Sequence, residues 1–313
     1  MRAVTIVDGD LVVQEHPDPV AGAGEVVVAV EAAGLNGGDL LQRRGFYPAP
    51  PGWPADIPGL EMAGRVAALG PGASRFAVGD RVMAIVGGGG QAEQVAVHES
   101  HLLSVPEGLS AAEAGGAPEA WSTAADALLD QGRLAAGDRV LISGAAGGVG
   151  TAAVQLARAA GAEVVASVRN PDLHAAVATL GAHHVVVPEE VGEHGPFDVV
   201  LELVGAPGVE AALANLAPRA RVVVIGVGAG AKAQVNLLAL MGARATLGGS
   251  TLRARSVEDK AAVARLVEER ALPLLADGSA TVPIEATFPL DDAAAAYDRF
   301  AAGGKLGKIV LLV

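Results

Sequence analysis

Residues 139–168, RVLISGAAGGVGTAAVQLARAAGAEVVASV, hold the spacing in this chain best suited to chemistry. An apolar run ends at Ser143, and Gly144, Gly147, Gly148 and Gly150 crowd the turn that follows. Val149, Ala153, Leu156 and Ala160 then fall on one helical face, with Gly161 as the stop. Glycine at such a turn lets backbone approach a pyrophosphate, and the free N–H groups and dipole of the next helix face the phosphates. Strand, glycine turn, helix and second strand are together the context that dinucleotide binding requires. The strict G-x-G-x-x-G is not met, because aligning Gly147 and Gly150 puts Ala145 at the first glycine. The end of the second strand sorts the cofactors. A ribose 2′-hydroxyl calls for Asp or Glu about 20 residues on, and here stand Ser167, Val168 and Arg169. Ser167 can donate to a 2′-phosphate and Arg169 can pair with it, so NADPH is favoured over NADH. Asn170 and Pro171 read as the N-cap and first residue of the next helix.

The elements that must position this turn are legible around it. Short β-branched runs (Val4–Val7, Glu25–Val30, Gly64–Leu69, Arg81–Val86, Gln94–Val97) fill residues 1–110, separated by Gly, Pro and Asp. Pro48–Pro58 is too proline-rich for regular structure and reads as an irregular surface loop. Ser110–Gln131 is Ala-rich and reads as helical. Strands at Val140–Ser143, Glu163–Val168, His184–Val187, Asp198–Leu203, Arg221–Ile225 and Ala245–Gly248 then alternate with helical patterns. Such alternation predicts βαβ units in an α/β, Rossmann-type doubly wound parallel sheet. Helices are expected near Val257–Ala271, as a candidate link between domains, and near Asp291–Ala301. A last strand, Lys308–Val313, has the texture of the N-terminal β region, so the chain is expected to return to its first domain.

Composition narrows the function classes. The 313 residues suit two domains. Apolar residues are 51% and charged residues 18%, which excludes a disordered chain. A formal net charge of −13 disfavours nucleic acid and anionic membranes, so an anionic ligand needs a local basic pocket. There is no cysteine, which removes disulfides and thiolate zinc sites, and a redox function would need an organic cofactor. The N-terminal MRAVTIVDGD has an acid by residue 8 and no long apolar stretch, and windows of about 20 residues are broken by charge, Gly or Pro. The expectation is a cytoplasmic protein without a membrane span.

Several phrases carry a resemblance: AGLNGGDLLQRRGFYP (33–48), IPGLEMAGRV (57–66), FAVGDRVMA (76–84), GGGGQAEQV (87–95), PEAWSTA (118–124), GSTLRARS (249–256), the terminal GKIVLLV and the glycine turn. Their order and spacing resemble the zinc-independent NADPH:quinone oxidoreductases of the medium-chain dehydrogenase/reductase superfamily. Within these, the chain looks most like the subgroup that includes the tumour-suppressor-inducible quinone oxidoreductase of animals. The resemblance implies a discontinuous GroES-like, mainly-β catalytic domain from residues 1–119 and 254–313. A dinucleotide-binding Rossmann domain would occupy 120–253, with the active cleft between the two and a homodimer as the usual assembly. It also implies site residues. Asn36 and Tyr47 match positions beside the nicotinamide, and Thr123 a hydroxyl under the cofactor. Ala146, Gly147, Gly148, Val149 and Gly150 match the pyrophosphate turn. Ile225, Gly226 and Val227, with Gly228, and Thr251, Leu252 and Arg253 match backbone around the nicotinamide ribose and carboxamide. Lys308 matches a basic residue near the adenosine phosphate or the cleft. Zinc-bearing relatives carry Cys where this chain has Asn36 and His where it has Leu60, so no metal is expected. The histidines show no HExxH spacing, and His98 and His101 read as surface or turn residues. Leu173 stands near a place where relatives often have Lys, and Pro188–Glu190 where many have Tyr.

The chemistry implied is hydride transfer from NADPH to a quinone or enone. A Tyr47 hydroxyl or Asn36 amide would hydrogen-bond the acceptor oxygen as charge develops, and the proton would come from Tyr47 or from water. Two alternatives stand beside a quinone reductase. One is a reductase of α,β-unsaturated carbonyls or enoyl thioesters on the same fold, and the other a non-enzymatic NADPH-binding structural protein.

Overall fold

The computed structural model describes residues 1–313. In chain order the first strands are β1 (Arg2–Val7), β2 (Asp10–Glu15) and β3 (Glu25–Gly34), followed by helix α1 (Gly37–Arg43). Strands β4 (Glu61–Leu69), β5 (Arg81–Ile85), β6 (Gln94–His98) and β7 (Leu103–Ser104) come next, then helices α2 (Ala111–Gly116) and α3 (Pro118–Ala125). The alternating stretch holds β8 (Arg139–Ser143), α4 (Gly148–Ala159), β9 (Glu163–Ser167), α5 (His174–Thr179), β10 (His184–Val186) and β11 (Phe197–Glu202). It continues with α6 (Ala206–Leu213), β12 (Leu216–Val224), α7 (Leu237–Ala243) and β13 (Thr246–Gly249). The chain ends with α8 (Val257–Arg270), α9 (Leu272–Ala276), β14 (Ile284–Pro289), α10 (Ala293–Ala301) and β15 (Lys308–Leu312).

These elements form two compact units, one of residues 1–122 with 252–313 and the other of residues 123–251. In the first, a sheet runs β14-β15-β3-β4-β5-β7, with β6 also paired to β3, and β1–β2 is a separate hairpin. The centre is β3, whose EVVVAVEAAG is buried on both faces, as β-branched residues in a central strand require. Val26, Val28, Met62, Val66, Val82, Val95 and Val97 form its core. A second cluster packs Tyr297 and Ala296 of α10 against Ile309 and Leu311 of β15. The last strand does return: Val310 pairs antiparallel with Gly34 of β3. Hairpin strand β2 and strand β14 lack a distinctive sequence signal, since their side chains are only partly buried or exposed.

The second unit is a six-stranded parallel sheet in the order β10-β9-β8-β11-β12-β13. Numbered within the unit, this is the 3-2-1-4-5-6 order of a doubly wound dinucleotide fold. Leu141, Val165, Phe197, Val200 and Val222 fill its core, and the order reverses between β8 and β11. No helix of the protein is long and apolar enough to cross a membrane.

Three expectations change. The helix expected over Ser110–Gln131 is two α-helices and a six-residue π-helical segment, Asp126–Gln131. The break falls at Ala117–Pro118, where proline supplies no N–H and restricts the preceding residue. Helix α8 is not a link between domains; it lies wholly inside the first unit. His101 is not a surface residue. It is buried, its Nε2 donates to the Val257 carbonyl at 3.1 Å, and burial pushes its pKa down to about 4, so the ring is neutral.

Candidate functional site

The C-terminal ends of the parallel strands in the second unit meet at one edge. There β8 ends at Ser143, and Gly144 takes a φ of 66°, the left-handed region that glycine tolerates. Ala145 N–H donates to the Ser167 carbonyl at 3.1 Å, which ties the turn to the end of β9. A Cβ on Gly150 would lie 2.5 Å from the Gly144 carbonyl oxygen, so only glycine lets α4 seat on the turn. A Cβ on Gly147 would meet only that same oxygen, at 3.4 Å, and the space before the helix is open. Gly147 offers no side-chain cap, and the first helical bond is Thr151 N–H to Gly147 O at 2.8 Å. The amides of Gly148, Val149 and Gly150 therefore precede the hydrogen-bonded turn and, with Ala146, form a cradle suited to a pyrophosphate.

The other residues expected at a dinucleotide site belong to the same unit. Ser167 is buried at the tip of β9, and Arg169 is exposed two residues on, engaged in no hydrogen bond or ion pair. Asn170 caps the following turn through Oδ1, accepting from Asp172 N–H at 3.2 Å. Ile225 and Gly226 N–H both donate to the Glu202 carbonyl, at 2.9 and 3.1 Å, and a Cβ on Gly226 would collide with the Leu203 carbonyl. Val227 is exposed beside them, Thr251 follows the end of β13, and Thr123 is buried in α3. Sequence reading missed Glu202. This buried carboxylate accepts from Val204 and Gly205 N–H at 2.6 and 2.8 Å and from Ser143 Oγ at 2.5 Å, so it joins the glycine turn to the loop after β11. An acid ending an apolar strand (FDVVLE) is the only hint in the sequence. These residues fit a dinucleotide.

In the first unit, the end of β3 carries Asn36, which also caps α1. Its side chain is fully committed. Nδ2 donates to Glu61 Oε1 at 2.8 Å and to the Gly34 carbonyl at 3.4 Å, and Oδ1 accepts from Lys308 Nζ at 2.6 Å. Lys308, 3% exposed, also donates to Glu61 Oε1 at 2.5 Å and to the Leu35 carbonyl at 2.9 Å. Glu61 is 0% exposed, and its second oxygen accepts from Glu119 N–H at 2.8 Å. Both side chains are thus engaged inside the protein. All three ammonium protons of Lys308 are spent inside this network, which leaves none for a phosphate. The Asn36 amide is likewise unavailable to an acceptor oxygen while the network stands. The adjacent Asp39 accepts from Asn36 and Gly59 N–H at 2.8 and 3.0 Å. Burial pushes its pKa up to about 6, against the pull of those two amides and of the Lys308 charge. Asp39 and Glu61 went unread, although Asn36-x-x-Asp39 is a cap spacing and Glu61 interrupts an apolar run.

Tyr47 is half-buried at the head of the irregular loop before β4, and its ring lies against α1. A Cβ on Gly38 would come 3.1 Å from that ring, so glycine makes the seat. The phenol is shifted upward, chiefly by burial and next by the Glu119 carboxylate, with the Arg253 cation opposing. Its hydroxyl makes no hydrogen bond within the protein. Leu252 is buried, and the Arg253 side chain faces the interior of the first unit rather than an open surface, so only its backbone remains for a ligand. Leu60, where zinc-bearing relatives have His, is buried, and no group of three His, Asp or Glu side chains gathers in a metal-binding arrangement.

Known proteins resemble both units. Residues 22–107 match the alcohol dehydrogenase GroES-like domain, and residues 148–269 match the zinc-binding dehydrogenase family. Among solved structures, a probable oxidoreductase from Mycobacterium abscessus is 33% identical, with all of this chain and 99% of that one covered at a TM-score of 0.82. A quinone oxidoreductase from Pseudomonas syringae is 28% identical over 100% and 99% of the two chains, with a TM-score of 0.85. Among curated relatives, the erythronolide synthase EryA2 of Saccharopolyspora erythraea is 44% identical over 197 residues, 62% of this chain. The chain spans only 5% of that synthase's length. A parallel sheet in dinucleotide-binding order, a GroES-like β unit closed by the final strand, and full-length likeness at 33% identity have one explanation: this chain belongs to the medium-chain dehydrogenase/reductase superfamily of nicotinamide-dependent oxidoreductases.

Proposed function

We propose that the chain is an NADPH-dependent oxidoreductase that passes hydride to a quinone-type acceptor without zinc. The observation that carries this reading is the Tyr47 hydroxyl, half-buried, unbonded within the protein and held close to a fixed cation. NADPH, when bound, supplies the hydride. The chain's part is to bind and orient. The amides of Ala146, Gly148, Val149 and Gly150 hold the pyrophosphate, with Gly147 keeping their path open, and Ser167 and Arg169 take the 2′-phosphate in place of the acid that would hold a free ribose hydroxyl. Thr123, Ile225, Gly226, Val227 and Thr251 bound the nicotinamide end. Tyr47 donates to the acceptor oxygen as negative charge develops there. Asn36 contributes by holding the end of β3 through Glu61 and Lys308. The absence of cysteine, with Asn36 and Leu60 at the positions zinc ligands occupy in relatives, supports a mechanism free of metal.

Likeness to a segment of a polyketide synthase favours a second reading, reduction of an enoyl thioester or other conjugated carbonyl. We also infer a cytoplasmic homodimer. Edge strand β13 is exposed along its whole length, and α7 beside it exposes Leu237, Leu238 and Met241. A second copy could pair with that edge about a twofold axis. The test is turnover of NADPH against 1,4-benzoquinone, an enone and a crotonyl thioester. Quinone should have the highest kcat/KM, and Tyr47→Phe should lower kcat and kcat/KM together by about tenfold. Preference for the thioester would select the second reading. Cofactor binding with no turnover of any acceptor would leave only a binding protein.

A further inference from the structure

The loop from Phe46 to Ile57 has no regular structure, yet Tyr47 must be held to fractions of an ångström if it serves the acceptor. Its restraint comes from far along the chain. Each of the three nitrogens of the Arg253 guanidinium is used. Nε donates to the Gly87 carbonyl at 2.7 Å, Nη1 to the Tyr47 carbonyl at 2.7 Å, and Nη2 to Gln42 Oε1 at 2.5 Å. Gln42 is buried on α1, and its Nε2 donates to the Ala55 carbonyl at 3.0 Å, near the loop's far end. The guanidinium carbon also lies 4.9 Å from the centre of the Tyr47 ring. A second cation from the same stretch, Lys260, stands 5.5 Å from the ring of Trp53, the loop's other large aromatic. Trp53 lies against Gly87, where a Cβ would come 2.5 Å from the indole.

Arg253 is 4% exposed and all its hydrogen-bond acceptors are neutral. A buried cation without a bonded carboxylate costs stability. A forked cation can, however, bind three acceptors on three separate elements from three separate nitrogens, a spread that no apolar residue and no single-nitrogen lysine offers. We propose that Arg253 is the positioning residue for Tyr47, clamping the phenol-bearing loop to α1 and to the strand end at Gly87. This rests on the reading of Tyr47 as the acceptor's hydrogen-bond donor. The positive charge also favours the charge that develops beside the phenol during reduction. The Arg253 side chain acts through Tyr47 and does not itself hold the cofactor.

The test combines hydrogen exchange with kinetics on Arg253→Met and Arg253→Lys, each in the parent and in a Tyr47→Phe background. Amides of residues 45–57 should exchange faster in Arg253→Met and to an intermediate degree in Arg253→Lys, while β8 and α4 keep their protection. With NADPH and 1,4-benzoquinone, Arg253→Met should lower kcat about tenfold in the parent but less than about twofold once Tyr47 is Phe. NADPH affinity should stay within about twofold throughout. Should Arg253→Met fail to fold, Arg253→Lys carries the test, since it keeps the charge but cannot make the three-way fork. Unchanged exchange over 45–57 would overturn the proposal, as would equal kinetic losses in both backgrounds or NADPH affinity falling in step with activity. A parent protein that turns over no quinone would sink the functional reading instead, and the exchange pattern would still decide whether Arg253 positions the loop.

Discussion

Replacing Lys308 with Met separates two roles for one residue. The family resemblance implies a cationic contact to the cofactor, whereas the structure spends all three ammonium protons on Glu61, Asn36 and the Leu35 carbonyl. Without Lys308, the Glu61 carboxylate stays fully buried with only neutral donors, Asn36 Nδ2 and Glu119 N–H, each at 2.8 Å. Removing one partner of a buried pair costs about 3–5 kcal/mol, because the remaining charge is uncompensated. For a unit of this size, each kcal/mol moves the melting temperature by about 2–4 °C, so Lys308→Met should melt about 6–20 °C lower. The double variant Glu61→Gln/Lys308→Met should recover half of that or more, since no unpaired charge is left to bury. Calorimetry reads the melting, and NADPH titration well below the transition reads the cofactor, whose affinity should change less than about twofold. A shift under about 2 °C joined to a tenfold or greater loss of NADPH affinity would refute the reasoning and return Lys308 to the cofactor.

Other predictions follow from single residues. Asp39 titrates near 6 in the folded protein against 3.8 unfolded, so between those values the native state holds a proton that the unfolded chain has released. Stability should therefore fall as pH rises from about 4 to 6 and then level off, by at most about 3 kcal/mol, and denaturant titrations should show this slope vanish in Asp39→Asn. Arg169→Ala should weaken NADPH by about 1.5–3 kcal/mol while NADH changes little, and equal parent affinities for the two cofactors would dismiss the 2′-phosphate assignment. Gly147→Val should abolish NADPH binding yet melt close to the parent, because the added side chain enters open space before α4 rather than a packed core; normal binding by this variant would remove the cradle.

The sequence alone determined the parallel sheet, the glycine turn and the order of the strands' supporting helices. Those features depend on contacts between residues close in the chain, so they leave periodicity and glycine spacing as a local record. The turn at Gly144–Gly150 and the strand tip at Ser167 lie within one βαβ unit, and both are legible in the sequence. Tertiary structure alone decided what Lys308, Asn36 and Arg253 do. Lys308 meets Asn36 across 272 residues and Glu61 across 247, and Arg253 meets the Tyr47 carbonyl across 206. A buried polar side chain must find its partner wherever the fold brings one, since water is no longer there to satisfy it. That requirement imposes no spacing on the chain, so the same lysine and arginine read equally well in sequence as contacts for a phosphate or as the internal ties they form.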